Sequence, residues 1–175
     1  MARLNVAGAI DTFIDRLGMI TAWTSFALVL VMATNVLLRY LFSKGSGWAQ
    51  ELEWHLLVPI SLLGMSYALR HGEHVRVDIF FSRYPERTKI IVELLTALTS
   101  LIISLIIIKL SWTYVLQSYA QDEGSANPGG IPYRYALKAL IPIGFALFAL
   151  QSVAEVIKAS RLLRKFSAPA ETFVR

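Results

Sequence analysis

The chain has 175 residues, a net charge of +5, 55 % hydrophobic residues and a mean hydropathy of +0.55. That apolar content exceeds the roughly 45–50 % of soluble domains, and the absence of cysteine excludes disulfides, thiolate catalysis and zinc–thiolate sites together. The basic residues flank apolar runs instead of forming a stripe, which suits anionic lipid headgroups and argues against nucleic acid as a partner.

Residues 1–18 do not read as a secretory signal, because Asp11 and Asp15 sit where a signal is apolar. Val6, Ile10, Phe13, Ile14 and Leu17 recur at helical spacing, with Asp11, Thr12, Asp15 and Arg16 opposite. The pattern predicts a short amphipathic helix in the membrane interface, with an extension of the first span as the alternative. Leu17 to Leu38 then carries no charge and is long enough to cross a bilayer. Asn35 is expected to face another helix, since its amide cannot easily bond back to its own backbone. Arg39 either snorkels to the headgroups or pairs with Glu51 or Glu53 across the next turn. The pair is favoured because a lone carboxylate near a bilayer edge is costly.

Ser43 to Gly47 is a turn by composition. Trp48, Glu51, Leu52 and His55 follow on one helical face, with Trp48 and Trp54 as interfacial anchors. Trp54 to Leu69 contains no Asp, Glu, Lys or Arg and predicts the second span. Pro59 should kink it, Gly64 and Ala68 permit close helix contact, and Gly72 is placed to cap it. His71, Glu73 and His74 lack HExxH spacing and read as solvated loop residues, not metal ligands.

Pro85 opens a long third helix reaching as far as Gln121, roughly 55 Å at about 1.5 Å per residue. Ile102 to Ile108, Leu and Ile apart from Ser104, predicts a lipid-facing stretch, and Lys109, just before Trp112 and Tyr114, snorkels to the far interface, with a buried partner-facing role as the alternative. Asp122 to Pro132 is an acidic, Gly- and Pro-containing aqueous loop. Tyr133, Arg134, Tyr135 and Lys138 anchor the last span, where Pro142 and Gly144 favour bending. Lys158, Arg161, Arg164 and Lys165 form a basic tail.

The expectation is an all-α integral membrane protein, a single membrane domain over residues 1–175 with spans near 17–40, 50–70, 90–114 and 136–157. The bias of Lys and Arg toward the amino-terminal segment, the second loop and the tail places both termini in the cytoplasm. Neither catalytic, cofactor-binding nor metal residues are expected.

The motifs carry the reading further. Arg39-Tyr40-x-Phe42 closes the first span and Trp48-x-x-Glu51 opens the second. Gly64-x-x-Tyr67-Ala68 precedes Gly72-x-His74-Val75-x-Val77-Asp78, and Pro132 and Pro142-x-Gly144 follow in the last loop and span. In this order the chain resembles the small membrane subunit, the Q component, of tripartite ATP-independent periplasmic (TRAP) transporters. Many relatives place a Trp after the loop proline, where this chain has Ile131-Pro132-Tyr133.

The resemblance implies a bacterial inner-membrane scaffold bound laterally to a large membrane subunit (M). That subunit would import an organic acid, such as a dicarboxylate or sialic acid, with sodium after delivery by a periplasmic substrate-binding protein (P). Asn35, Arg39, Glu51, His55, Gly64 and Tyr67 are the candidate contacts to the large subunit, being polar or small groups that gain little from lipid. Packing within the chain's own helices is the competing role for each. The spans lack runs of inward carboxylates and paired broken half-helices, the marks of a transport site, so an autonomous transporter is disfavoured. The rival class is a haem-carrying membrane anchor of a respiratory enzyme, which requires axial ligands facing one another.

Overall fold

A computed structural model describes residues 6–43, 45–73, 81 and 83–167, with backbone alone at 166 and 167. Among the described residues four helices follow in order: α1 (Val6–Phe42), α2 (Gly47–His71), α3 (Glu86–Ala120) and α4 (Arg134–Ser167). All four are long and apolar enough to cross a membrane.

The helix ends follow local chemistry. Ser46 caps α2 through its hydroxyl, which accepts from the Ala49 N–H at 3.4 Å. At the other end Gly72 adopts the left-handed conformation, φ 72°, and its N–H bonds back to Ala68 and Leu69. Glu73 N–H adds a bond to the Ala68 carbonyl at 3.0 Å, completing the termination expected of that glycine. Pro85 caps α3 and Gln121 ends it, so the long third helix is present. It is not alone in its length, since α1 has 37 residues and α4 has 34. Pro59 and Pro142 lie inside unbroken helices.

One expectation is corrected. The amphipathic amino-terminal stretch is helical but is not a separate interfacial helix, because α1 runs without a break from Val6. Part of its apolar face packs on protein, while Val6 and Phe13 stay exposed. Ala7, Ile10 and Ile14 are buried with Ala154 of α4, with Leu17, Leu147 and Ile157 around them.

The helices alternate in direction, so each end of the bundle gathers four helix termini. At one end the start of α1 meets the end of α4 through Asp11 and Lys158. Asp15 meets Arg70 at the end of α2 there. At the other end the finish of α3 meets the start of α4, where Tyr119 and Tyr135 cross edge to face at 5.2 Å.

Helix α4 is the hub, packing on α3, α2 and α1. It buries mainly small residues, among them Gly144, Ala149, Ser152, Ala154 and Ala159, which let neighbouring backbones approach. On α3 the buried positions are Ile90, Ala97, Ser104, Ser111 and Ser118. That is one residue every seven, the repeat that keeps a single seam facing a partner helix. Ser104 is therefore fully buried, not turned to lipid, and its hydroxyl donates to the Ser100 carbonyl at 2.6 Å.

Candidate functional site

The most constrained side chain is Glu51, one turn into α2 and only 9 % exposed. Its carboxylate accepts from the Ser125 hydroxyl, from Asn127 Nδ2 at 2.8 Å and from the Ile131 N–H at 2.7 Å. All three donors lie in the loop between α3 and α4, and all are neutral. A carboxylate satisfies three donors at once, whereas a protonated acid would set a hydrogen against one of them. The loop approaches so closely that Gly130 is required. A Cβ there would stand 2.5 Å from Glu51 Oε2 and closer still to the Ser125 hydroxyl. The acidic loop is thus a folded cover over the start of α2, not a freely solvated connection.

The same loop is held to α4. Glu123 accepts from the Lys138 ammonium and from the Ser118 hydroxyl at 2.7 Å. The Lys138 partner, then the Ser118 bond, hold the Glu123 carboxyl below the usual carboxylate range. Lys138 also lies 4.0 Å from the centre of the Tyr114 ring.

At the opposite end, Lys158 donates to Asp11 at 2.9 Å and to Glu155 at 2.8 Å. Fully buried Gln151 donates to the same two carboxylates at 3.1 and 2.7 Å. Asp15 receives Arg70 at 2.6 Å and His71 at 3.2 Å. These contacts bind α1 to α2 and α4 near the helix termini.

Between the two ends a lateral groove of 730 Å³ opens between α2 and α4, with Trp54, His55, Leu62, Arg134 and Ile141 in its walls. Among the described residues nothing in this geometry favours a haem anchor. His55 and His71 lie on the same helix sixteen residues apart, a separation of about 24 Å that no single haem spans. His55 Nδ1 is also engaged by the Glu51 carbonyl at 2.7 Å.

The family described as "Tripartite ATP-independent periplasmic transporters, DctQ component" matches residues 28–162. The chain belongs to this family. Among relatives, it is 28 % identical over 158 residues to the ectoine TRAP transporter small permease protein TeaB of Halomonas elongata. That match covers 87 % of this chain and 79 % of the relative. It is 28 % identical over 88 residues to the C4-dicarboxylate TRAP transporter small permease protein DctQ of Vibrio cholerae, covering 50 % of this chain and 38 % of that one. It is 30 % identical over 138 residues to the isethionate TRAP transporter permease protein DctMQ of Oleidesulfovibrio alaskensis, covering 71 % of this chain and 20 % of the relative. As a TRAP small permease subunit, the chain is a multi-pass membrane component of a transporter, in a family whose members associate with a large membrane subunit.

In this DctQ-family chain, several residues singled out from the sequence make internal contacts. Asn35 does face another helix, donating to Glu53 Oε1 at 2.8 Å. Arg39 does not pair with Glu51 or Glu53, because the loop donors take the first and Asn35 takes the second. It is exposed, 5.5 Å over the Tyr40 ring. Gly64 faces Thr21 of α1 across an ordinary contact, 3.7 Å from where its Cβ would stand. Tyr67 covers Gly18, keeps 39 % of its surface exposed and stacks 4.2 Å from His71. His55 lines the groove. His74 lies outside the described residues. Sequence reasoning missed Ser125, Asn127 and Gln151, whose partners lie 74, 76 and 140 positions away. The three serines of the seven-residue seam were open to detection, since their spacing is fixed in the sequence.

Proposed function

We propose that this subunit is the stationary scaffold of its transporter, in the bacterial inner membrane with both termini cytoplasmic. The large subunit bound beside it carries an organic acid inward with sodium, after capture by a periplasmic substrate-binding protein. One observation carries this reading. The described ion pairs and carboxylate bonds clamp helices together near the two ends of the bundle, while α4 presents small and apolar residues between them. Such an arrangement resists tilting and offers no row of charged groups for a solute to follow.

The bias of Lys and Arg supports the orientation. Arg70, Arg83, Arg87, Lys89, Lys158, Arg161, Arg164 and Lys165 gather at the end holding the start of α1, against Arg39, Arg134 and Lys138 at the other. The C4-dicarboxylate and isethionate named for two relatives support an organic anion as the substrate. A large partner is supported by the isethionate permease, in which the similar stretch is one fifth of a longer chain.

Purification of the tagged subunit in mild detergent tests the reading. A large multi-span protein is expected to co-purify, and the subunit alone in vesicles is expected to give no flux. Arg39→Ala removes an exposed cation without disturbing the loop cover and is expected to lower that recovery at least threefold. Solute accumulation by the isolated chain would refute the scaffold role, and unchanged recovery and uptake would remove Arg39 from the interface.

A further inference from the structure

The groove between α2 and α4 has the polarity of an amphiphile. Its loop end presents Gln50, His55, Arg134 and Lys138, and its inner end presents Leu57, Val58, Leu62 and Ile141. Trp54 and Tyr114 stand in the walls, the residue types that favour the interfacial depth of a bilayer. Gln50 to Leu62 rises about 18 Å along α2, close to the roughly 15 Å of one leaflet of hydrocarbon.

The charges at the loop end are unequally engaged. Glu51 is satisfied by three neutral donors, and Lys138 is held by Glu123. The half-buried Arg134 makes no side-chain hydrogen bond or ion pair with any described residue, although its charge is felt by the Glu51 and Glu123 carboxylates. Its hydrogen-bond donors are therefore left to receive an anion from outside the chain, and guanidinium suits a phosphate in particular.

We propose that this groove holds one glycerophospholipid from the leaflet on the loop side, its phosphate bound by Arg134 and its acyl chains lying along α2 and α4. A transmembrane helix of another subunit is the competing occupant, and the free guanidinium donors at the polar end of an otherwise apolar groove favour a phosphate with acyl chains over it. The bound lipid fills the lateral groove between α2 and α4, and it sets the depth of the loop cover. The proposal requires only that the chain spans a membrane and is independent of the scaffold role.

The test is lipid retention. The transporter complex is purified from membranes, washed in mild detergent lacking lipid, and its phospholipid is counted by native mass spectrometry. The expected result is about one tightly retained phospholipid per small subunit. Arg134→Gln should lower that retention at least fivefold, and Ser61→Trp, which fills the groove from its exposed wall, should abolish it. Leu57→Trp serves the same purpose should Ser61→Trp fail to fold. Arg164→Gln removes the same charge from the opposite end and should retain lipid as the wild type does. Because the chain has no cysteine, Ser61→Cys also provides a single reporter. Its failure to cross-link to the large subunit in native membranes is expected. Absence of retained phospholipid, equal retention by Arg134→Gln and a groove-filling variant, or efficient cross-linking at position 61 would each overturn the proposal.

Discussion

Two glycines on the same helical bundle should respond to alanine in opposite directions. Gly144 of α4 lies where α2 crosses, and a Cβ there would stand 2.7 Å from Leu62 Cβ and 3.0 Å from the Leu62 carbonyl oxygen. Carbon atoms settle at about 3.5–4.0 Å, so Gly144→Ala must drive α2 and α4 apart by roughly 1 Å. Overpacking of this kind costs about 1–3 kcal/mol. Gly64 of α2 meets only the Thr21 methyl, at 3.7 Å, which is ordinary contact. Both substitutions gain the ~0.5–1 kcal/mol by which alanine exceeds glycine inside a helix. That gain cancels between the two variants, so their difference isolates the steric cost. At about 2–4 °C per kcal/mol for a chain of this size, Gly144→Ala should melt about 2–12 °C below Gly64→Ala. Tryptophan fluorescence during heating in mild detergent reads both midpoints. If Gly144→Ala melts at or above Gly64→Ala, the close crossing of α2 and α4 is wrong.

The loop cover makes two further predictions. Glu51→Gln keeps the side-chain shape but turns an amide NH2 toward donors that need an acceptor. Hydrogen exchange at the Ile131 amide should accelerate at least tenfold while amides in the middle of α3 stay protected, and an unchanged Ile131 rate would contradict the bond. Glu123 provides a pH signature. Its folded carboxyl lies below its ordinary value of 4.5, chiefly through Lys138 and then Ser118. Its stabilising contribution is therefore complete above about pH 4.5 and disappears as pH falls through the folded value. The melting difference between wild type and Glu123→Gln should be constant from pH 8 to pH 5 and close below 4.5; a difference independent of pH down to 3 would count against the Lys138 pairing.

Much of the candidate site was legible one residue at a time but not in its partnerships. Asn35 announced a neighbour because a primary amide in an apolar helix must find one, and it found Glu53. The pairing of Arg39 with a carboxylate failed for a reason of competition. Glu51 is taken by three loop donors whose sequence distance hid them. Likewise Asp11 and Asp15 signalled a polar face without revealing that Lys158 and Arg70 would cover it.

Hydropathy determined by itself that four helices cross a membrane, because an unsatisfied backbone is intolerable in hydrocarbon and apolar length leaves few solutions. The caps at Ser46, Pro85 and Gly72 were equally local, each fixed by a single residue's chemistry. Only the tertiary structure decided that α4 is the hub, that Ala7, Ile10 and Ile14 pack on α4, and that the acidic loop folds over Glu51. Those outcomes depend on side chains that meet across as many as 147 positions of chain, and no local periodicity encodes such a meeting.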